Sequence, residues 1–171
     1  MTKDYKQFET ERLLLRPTNL DDANFVYTLM NSPKWIKYIE DRDIHSIDDA
    51  KVYIKNKMFP LLERSGYSNY TMITKEGQNK IGSCGLYDRE GIDGVDIGFA
   101  ILPNYEGQGF GYEAASKVLE SARDVFSLKK ISGITIPSNI PSQKLLEKIG
   151  LSHTKNLDWN GEEIMLYELI F

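Results

Sequence analysis

The N-terminal part of the chain combines one strand-like run with segments whose apolar residues recur at helical spacing. Residues 12–16 form a short apolar run that Pro17 closes, which predicts a first β-strand. Residues 18–21 have the pattern of a capping box, and the apolar positions after them recur every three or four residues, which predicts a helix. These positions are Ala23, Val26, Tyr27 and Met30.

Two more helices are predicted in the same third of the chain. Pro33 suits the first position of a short helix that contains Trp35, Ile36 and Tyr38. A second capping box at residues 46–49 predicts a longer helix, which Pro60 should disturb and Gly66 should end.

The middle of the chain has the pattern of a strand meander. Residues 70–74, 80–87 and 95–102 are rich in β-forming residues, and polar, glycine-containing turns at residues 76–79 and 88–94 separate them. A parallel crossover needs a dozen residues or more, so connections this short predict antiparallel neighbours.

The C-terminal half mixes helices and strands. A glycine-rich loop leads into an amphipathic helix with apolar positions at Ala114, Ala115, Val118, Leu119, Ala122 and Val125. A strand over residues 130–136 and a helix over residues 138–150, which Gly150 ends, come next. Asn160 and Gly161 are typical of a type I′ turn, so a hairpin with its second arm over residues 164–171 closes the chain. This order of elements predicts a mixed α+β fold.

Composition narrows the functional class. A chain of 171 residues with 41% hydrophobic and 27% charged residues is typical of one globular domain, which we place over residues 1–171. The net charge of −4 disfavours a nucleic-acid partner, because phosphate contacts require clustered Lys and Arg. No apolar run approaches the ~18 residues of a membrane span, and the N-terminus lacks the apolar core of a signal peptide. The single cysteine, Cys84, cannot form an internal disulfide, so we expect a cytoplasmic protein.

Three alternating glycines after the meander are the strongest indication of chemistry. Gly107, Gly109 and Gly111 lie between the third strand and the amphipathic helix. Glycines let the backbone turn so that successive N–H groups face one point, and the helix N-terminus adds unsatisfied donors and the positive end of its dipole. This arrangement suits a pyrophosphate, although a tight strand-to-helix connection would also explain the glycines.

Three better-known motifs do not fit this loop. A dinucleotide fingerprint requires glycine where Tyr112 stands, and a P-loop requires a Gly-Lys-Ser/Thr sequence that is absent. Residues 108–112 share the aromatic pattern of an RNA-recognition strand, but residues 113–119 are strongly helix-forming. The RNA interpretation is therefore rejected.

Residues 106–111 (Glu-Gly-Gln-Gly-Phe-Gly), after an Ile-Gly-Phe-Ala-Ile-Leu strand, resemble motif A of the GNAT acetyltransferase superfamily, Gln/Arg-x-x-Gly-x-Gly/Ala. Residues 10–17 (Thr-Glu-Arg-Leu-Leu-Leu-Arg-Pro) are similar to the opening of the branch that contains the bacterial ribosomal-protein N-terminal acetyltransferases. Asn139 and Ser142, followed by residues 146–150, resemble the Asn-x-x-Ser helix and Glu-Lys-Leu-Gly ending of that branch. Three motifs in the right order, from about residue 8 to the C-terminus, make the resemblance specific.

The resemblance implies a GNAT-like three-layer fold, with a mixed, mostly antiparallel central sheet flanked by helices and a V-shaped split between two strands for acetyl-CoA. In that family the main chain of one strand would bond the pantetheine arm like an added strand. Here those residues are Phe99, Ala100, Ile101 and Leu102. The loop amides that would hold the pyrophosphate belong to Gly107, Gln108, Gly109, Phe110, Gly111 and Tyr112. Asn139 and Ser142 would contact the cofactor beyond it, although Asn139 could instead be a helix cap.

The implied activity is transfer of an acetyl group from acetyl-CoA, the cosubstrate, to a primary amine, without a metal. Three positions depart from the family pattern. Glu106 replaces the Gln or Arg of motif A, and we expect its side chain to point to solvent rather than repel the pyrophosphate. Leu146 stands where many members carry a tyrosine that protonates the departing thiolate. Leu151 replaces a phenylalanine, which we interpret as a packing change.

Attack of a neutral amine on a thioester needs a base, a donor for the developing oxyanion and a proton for the thiolate. We expect Asp96 to be the base, directly or through water. It shares a strand face with Gly98 and Ala100, whose small size leaves room for the thioester. The alternative for Asp96 is a solvated carboxylate at the end of a turn. Tyr87 or Tyr112 could supply the thiolate proton.

The acceptor is expected to be a small-molecule or peptide amine, and a homodimer is compatible with the sequence. The expected contacts of the acceptor are Trp35, Tyr38 and Tyr87. Cys84 has no histidine near it in sequence, which disfavours an acyl-cysteine intermediate, and His45 and His153 are too isolated to predict a metal site. The alternative to an enzyme is a GNAT-like module that binds CoA without turnover, which the departures at Glu106 and Leu146 would favour.

Overall fold

The computed structural model describes residues 3–171, and these residues form one eight-stranded sheet and six α-helices. The sheet order is β1-β2-β3-β4-β5-β6-β8-β7. The strands are β1 (Phe8–Glu9), β2 (Leu13–Pro17), β3 (Asn69–Thr74), β4 (Lys80–Asp88), β5 (Val95–Ile101), β6 (Lys130–Thr135), β7 (Ser152–Trp159) and β8 (Glu162–Ile170). The helices are α1 (Ala23–Met30), α2 (Pro33–Tyr38), α3 (Ile47–Tyr53), α4 (Phe59–Ser65), α5 (Phe110–Asp124) and α6 (Ile140–Lys148). The predicted α+β class is confirmed.

The first capping box lies one residue later than predicted. A short 3₁₀ turn (Leu20–Asp22) precedes α1, and its cap is Asn19, whose Oδ1 accepts the Asp21 N–H at 2.9 Å. Asp22 completes the box by accepting the Asn19 N–H at 3.0 Å. Thr18 cannot serve as the cap because its buried hydroxyl is bonded to Thr71 at 2.8 Å.

The predicted disturbance at Pro60 is a π-helical turn. Ser46 caps α3 by accepting the Asp49 N–H at 3.0 Å, as the second capping box predicts. The helix then widens over Ile54–Met58 before α4 begins, with Pro60 in its first turn. Gly66, at φ +80°, ends α4 in the left-handed conformation that glycine adopts without strain.

The V-shaped split lies between β5 and β6. β5 pairs with β4 along its whole length, and β6 pairs with β8 along its whole length, both antiparallel. In the described residues, one parallel pair, Asp96 with Ser132, joins the two halves of the sheet. Beyond that pair β5 and β6 diverge, which confirms the predicted split.

Helices cover both faces of the sheet. The side chains of β5 show this, because they point alternately to opposite faces and pack on a different core on each face. Phe99 and Ile101 pack on a core formed by α5 and the central strands, with Val118 and Leu119 among its members. Ala100 and Leu102 pack on a second core, formed by α1, α3 and the π-helical turn. Three layers result, in agreement with the prediction.

The C-terminal third follows the predicted order, with β6 and α6 shorter than predicted and β8 beginning two residues earlier. β6 ends before Ile136, and α6 begins two residues later than predicted because Asn139 is its cap. Asn160 and Gly161 both have positive φ, +54° and +84°, as a type I′ turn requires. Between residues 3 and 171, no helix has both the length and the apolar character needed to cross a membrane.

Candidate active site

A cavity of about 800 Å³ opens where β5 and β6 diverge. Most of the predicted site residues line it: Trp35, Tyr38, Tyr87, Asp96, Phe99, Ala100, Ile101, Gly107, Gly109, Gly111, Tyr112, Asn139 and Ser142. Leu102, Gln108 and Phe110 are not part of its lining. The Leu102 N–H donates to the Ile81 carbonyl at 2.8 Å, away from the split. Since N–H directions alternate along a strand, those of Phe99 and Ile101 face the split instead.

The glycine loop has the geometry of an anion site. Gly107 and Gly109 adopt φ +70° and +82°, and Gly109 is the N-terminal cap of the 15-residue helix α5. Gly111 lies so close to its neighbours that a Cβ there would be 3.1 Å from Ile101 and 3.3 Å from Leu145. The unsatisfied amides of the first turn of α5 therefore begin directly beside β5, at the wall of the cavity.

A cluster of polar contacts supports this loop from the side of β2. The Arg12 guanidinium donates to the Gln108 carbonyl at 3.0 Å and to the Glu113 carboxylate at 2.7 Å, and it lies 4.1 Å above the Phe110 ring. The same carboxylate accepts the Thr10 hydroxyl at 2.6 Å and the Arg12 N–H at 2.8 Å. We call this set of four residues, Thr10, Arg12, Gln108 and Glu113, the loop brace.

Glu106 does not point freely to solvent, so that expectation is wrong. Its side chain is 32% exposed and forms an ion pair with Lys34 of α2. The pair joins the glycine loop to α2 at the cavity wall, where both residues lie. Because Lys34 neutralises the carboxylate, the departure from the family pattern does not leave an uncompensated charge beside the loop.

Asp96 is a fully buried carboxylate, so its alternative interpretation as a solvated turn residue is wrong. It lies within β5, and its Oδ2 accepts the Arg89 Nε–H at 2.7 Å. Its Oδ1 has no hydrogen-bond partner in the described part of the chain. Burial raises the pKa of Asp96 to about 6, against the opposing effect of the Arg89 charge.

The polar residues around Asp96 come from β3, from β4 and from the turn after β4. Arg89 lies 5.2 Å from the Tyr87 ring centre, and the Tyr87 hydroxyl donates to the Asn69 side chain. Burial raises the pKa of Tyr87 far above its usual value. The sequence analysis missed Arg89 and Asn69. Hairpin pairing could have indicated Arg89, because it follows Tyr87, the cross-strand partner of Asp96, by two residues.

The early helices form the opposite wall. Trp35 and Tyr38 of α2 line the cavity, together with residues that the sequence analysis missed: Arg42, Tyr53 and Lys57. The Trp35 Nε1–H and the Arg42 Nε–H are buried, and neither has an acceptor among residues 3–171. This wall therefore combines aromatic side chains with two donors that are buried without acceptors.

At the far end of the cavity, Asn139 is a helix cap, because its Oδ1 accepts the Ser142 N–H at 3.4 Å. Leu146 is buried against Gly133. Cys84 is also fully buried, and burial raises its pKa to about 12, so its thiol is a poor nucleophile. No group of three His, Cys, Asp or Glu side chains is placed to hold a metal ion within residues 3–171.

The chain is similar to known proteins in sequence and in fold. The chain matches the acetyltransferase (GNAT) domain from residue 12 to residue 152. The uncharacterized N-acetyltransferase YnaD of Bacillus subtilis is 30% identical over 143 residues, which are 83% of this chain and 80% of that protein. The spermine/spermidine N(1)-acetyltransferase of the same organism is 26% identical over 153 residues, 87% of this chain and 93% of its own length.

Among solved structures, RimL, a ribosomal alpha-N-protein acetyltransferase in complex with coenzyme A, has a TM-score of 0.83 at 15% identity. The match covers 96% of this chain and 98% of RimL, and at this identity it supports the fold. The domain match begins at Arg12 and ends at Ser152, so it contains the glycine loop, the motif from Asn139 to Gly150, and all but the first two residues of the N-terminal motif. The prediction of an acetyltransferase is confirmed, and the chain belongs to the GNAT acetyltransferase family.

Proposed function

We propose that acetyl-CoA lies along the split between β5 and β6, and that a primary amine attacks its thioester directly in a ternary complex, within one catalytic domain. The observation that carries this proposal is the buried Asp96, which has an unpartnered oxygen at the point where the strands separate. A carboxylate with a pKa near 6 is poised to take a proton from an ammonium at neutral pH.

In the proposed reaction, Asp96 accepts a proton from the acceptor ammonium, and the neutral nitrogen forms a bond to the acetyl carbon. The C–S bond then breaks, the electron pair leaves with the CoA sulfur, and the second proton of the attacking nitrogen passes to that sulfur directly or through water. The N–H groups of Phe99 and Ile101, which face the split, are the proposed partners of the pantetheine arm and the thioester oxygen. The Tyr87 hydroxyl already donates its proton to Asn69, so we do not assign it the role of protonating the thiolate. We keep Tyr87 as a proposed contact of the acceptor amine.

The N–H groups of residues 107–112 are proposed to hold the diphosphate at the start of α5. Asn139 and Ser142 are proposed to contact the cofactor beyond it, since both line the cavity even though Asn139 is also a cap. The acceptor is proposed to be a small-molecule or peptide amine that enters between Trp35, Tyr38 and Tyr87. A cytoplasmic location is proposed from the single cysteine, Cys84.

A CoA-binding module without turnover is the second candidate, because Leu146 supplies no acid. The two candidates differ in thiol release from acetyl-CoA with a panel of peptides and small amines. We expect release with at least one amine, loss of turnover but not of acetyl-CoA binding in Asp96→Asn, and loss of binding in Gly109→Val. Binding without release for every amine would favour the module, and the absence of acetyl-CoA binding would refute both candidates.

A further inference from the structure

The charges around the cavity favour one class of acceptor. Four of its carboxylates are matched by a cation: Asp96 by Arg89, Glu106 by Lys34, Asp88 by Arg64 and Glu40 by Arg42. Glu162 is the one carboxylate of the lining with no ion-pair partner in the described residues. A polycation such as a polyamine requires free carboxylates. This cavity offers few of them.

Unmatched donors collect on the wall formed by α2 and the segment after it. The buried Arg42 Nε–H and Trp35 Nε1–H lack acceptors in this part of the structure, and Arg42 is 26% exposed. Glu40, its ion-pair partner, is mostly exposed and engages another guanidinium nitrogen at 3.3 Å. A buried donor without a partner is unfavourable, so these groups gain most from a ligand that carries oxygen acceptors.

Tyr53 and the proposed base line the same cavity as this wall. The Arg42 guanidinium lies 6.0 Å from the Tyr53 ring centre. A molecule with its amine at Asp96 and an oxyanion at Arg42 would therefore lie within one cavity.

We propose that the acceptor carries a carboxylate or phosphate in addition to its amine, and that Arg42 and Trp35 bind this oxyanion. The proposal rests on the proposed function, and it specifies the substrate class of the same site. A charge-assisted hydrogen bond to guanidinium accounts for roughly tenfold or more in discrimination against a neutral analogue.

The test uses matched amines that differ in the oxyanion alone: β-alanine against β-alaninamide, and O-phosphoethanolamine against ethanolamine, with spermidine as the polycation. Thiol release should give kcat/KM at least roughly tenfold higher for the anionic member of one pair. In Arg42→Gln this ratio should fall to about one, and Arg42→Lys, which lacks the Nε–H, should restore part of it. Arg123→Gln, at an exposed ion pair on α5, is the matched control and should keep the ratio.

Equal rates within both pairs, a preference for spermidine, or an unchanged ratio in Arg42→Gln would overturn the proposal. Calorimetry with acetyl-CoA separates these outcomes from a failure of the proposed function. If acetyl-CoA binds and amines are acetylated without the preference, the oxyanion proposal alone fails. If no amine is acetylated, the proposed function fails and the acceptor class fails with it.

The loop brace is an independent observation, and it indicates what Arg12 of the N-terminal motif does for the glycine loop. Arg12 holds the Gln108 carbonyl on the side of β2. In a trans peptide the carbonyl and the following N–H point in opposite directions, so the Gly109 N–H is turned away from Arg12. Gly109 lines the cavity at the start of α5, where the diphosphate is proposed to bind.

The brace itself is anchored by charge. Glu113 has its carboxylate between Thr10 and Arg12, and although burial would raise its pKa, the hydrogen bonds from these residues lower it. Arg12 also neutralises a carboxylate that would otherwise lie within one turn of the proposed anion site. We infer that Arg12 is a positioning residue, which fixes one anion-binding amide of the loop without touching the cofactor. This inference also rests on the proposed site of the diphosphate.

Ligand truncation tests this inference. Acetyl-CoA carries the diphosphate, whereas S-acetylpantetheine lacks it. Arg12→Gln should raise KM for acetyl-CoA about tenfold with a smaller change in kcat, and should leave KM for S-acetylpantetheine unchanged. Arg12→Lys should recover part of the loss, and Arg123→Gln, near the other end of the helix that carries Glu113, should show none of it.

Equal losses with both donors would indicate a merely structural role and overturn the inference, as would the absence of any effect. The wild-type protein tests the proposed function separately. If it does not distinguish acetyl-CoA from S-acetylpantetheine, the glycine loop is not a diphosphate site, and the placement of the cofactor fails before the brace is tested.

Discussion

The titration of Asp96 gives a quantitative test of the proposed base. Its pKa of about 6 results from burial, which the Arg89 charge opposes and the nearby Asp88 charge reinforces. Below the pKa the carboxyl is protonated and cannot take the ammonium proton, so activity is lost as the pH falls through about 6. About one tenth of the carboxyl is ionised near pH 5 and about nine tenths near pH 7, so kcat should rise about tenfold between them.

The rise of kcat with pH forms the acidic limb of the pH–rate curve. Changing the charged neighbours of Asp96 should move this limb along the pH axis in a known direction. Arg89→Gln removes the charge that favours the carboxylate, so the pKa of Asp96 rises and the limb moves to higher pH. Asp88→Asn removes a like charge and should move it slightly to lower pH. Tyr87, which also contacts Arg89, does not titrate in this range because burial raises its pKa.

The assay is kcat at saturating acetyl-CoA and saturating amine, measured by thiol release across this pH range. Most primary amines remain ammonium ions throughout it, so the limb reports the base rather than the substrate. Asp96→Asn should lower kcat and abolish the limb. A limb that stays in Asp96→Asn, or one that Arg89→Gln leaves unmoved, would refute the assignment of Asp96 as the base.

Three further predictions concern stability and reactivity. Burial would raise the pKa of Asp22, but the hydrogen bonds from Arg16 and Lys80 outweigh it and lower that pKa to about 2. The ionised carboxylate therefore adds about 2 kcal/mol to the free energy of unfolding above pH ~4, and this contribution is lost as the pH falls toward 2. Urea unfolding should show that loss in the wild type and not in Asp22→Asn. Gly133→Ala would place a Cβ 2.6 Å from Leu146, and the overpacking should cost about 1–3 kcal/mol by the same measurement. Iodoacetamide should label Cys84 only when the protein unfolds, since the thiol is buried with a pKa of about 12; rapid labelling of native protein would contradict this.

The elements that the sequence predicted well are those with a local cause. Gly66, Ser46 and the Asn160-Gly161 turn act within a few residues of themselves, and the structure has each in the expected role. The first capping box was placed one residue early because the competition for Thr18 is tertiary. Its hydroxyl is taken by Thr71, 53 residues away, which no local pattern contains.

The same distinction separates the parts of the site. The glycine loop is a local pattern, and its geometry follows from its own residues and the helix after it. Arg89, Arg42 and the loop brace were missed because they act through contacts between distant segments. Arg12 and Glu113 are 101 residues apart, and only the fold brings β2 against the start of α5. The expectation for Glu106 was wrong for this reason too, because Lys34, its partner, is 72 residues away.

The split itself explains why we place the chemistry at this point of the sheet. β4 satisfies the backbone hydrogen bonds on one side of β5, and β8 does the same for β6. Beyond the pair of Asp96 and Ser132, the backbone groups on the facing sides of β5 and β6 are therefore open to the cavity. Backbone groups without a partner are costly when they are buried, and a ligand that pairs with Phe99 and Ile101 removes that cost. The junction that opens the sheet also buries Asp96, and burial raises its pKa toward neutrality. One departure from regular pairing thus produces both the proposed cofactor edge and the proposed base, and this is why their residues are neighbours in β5.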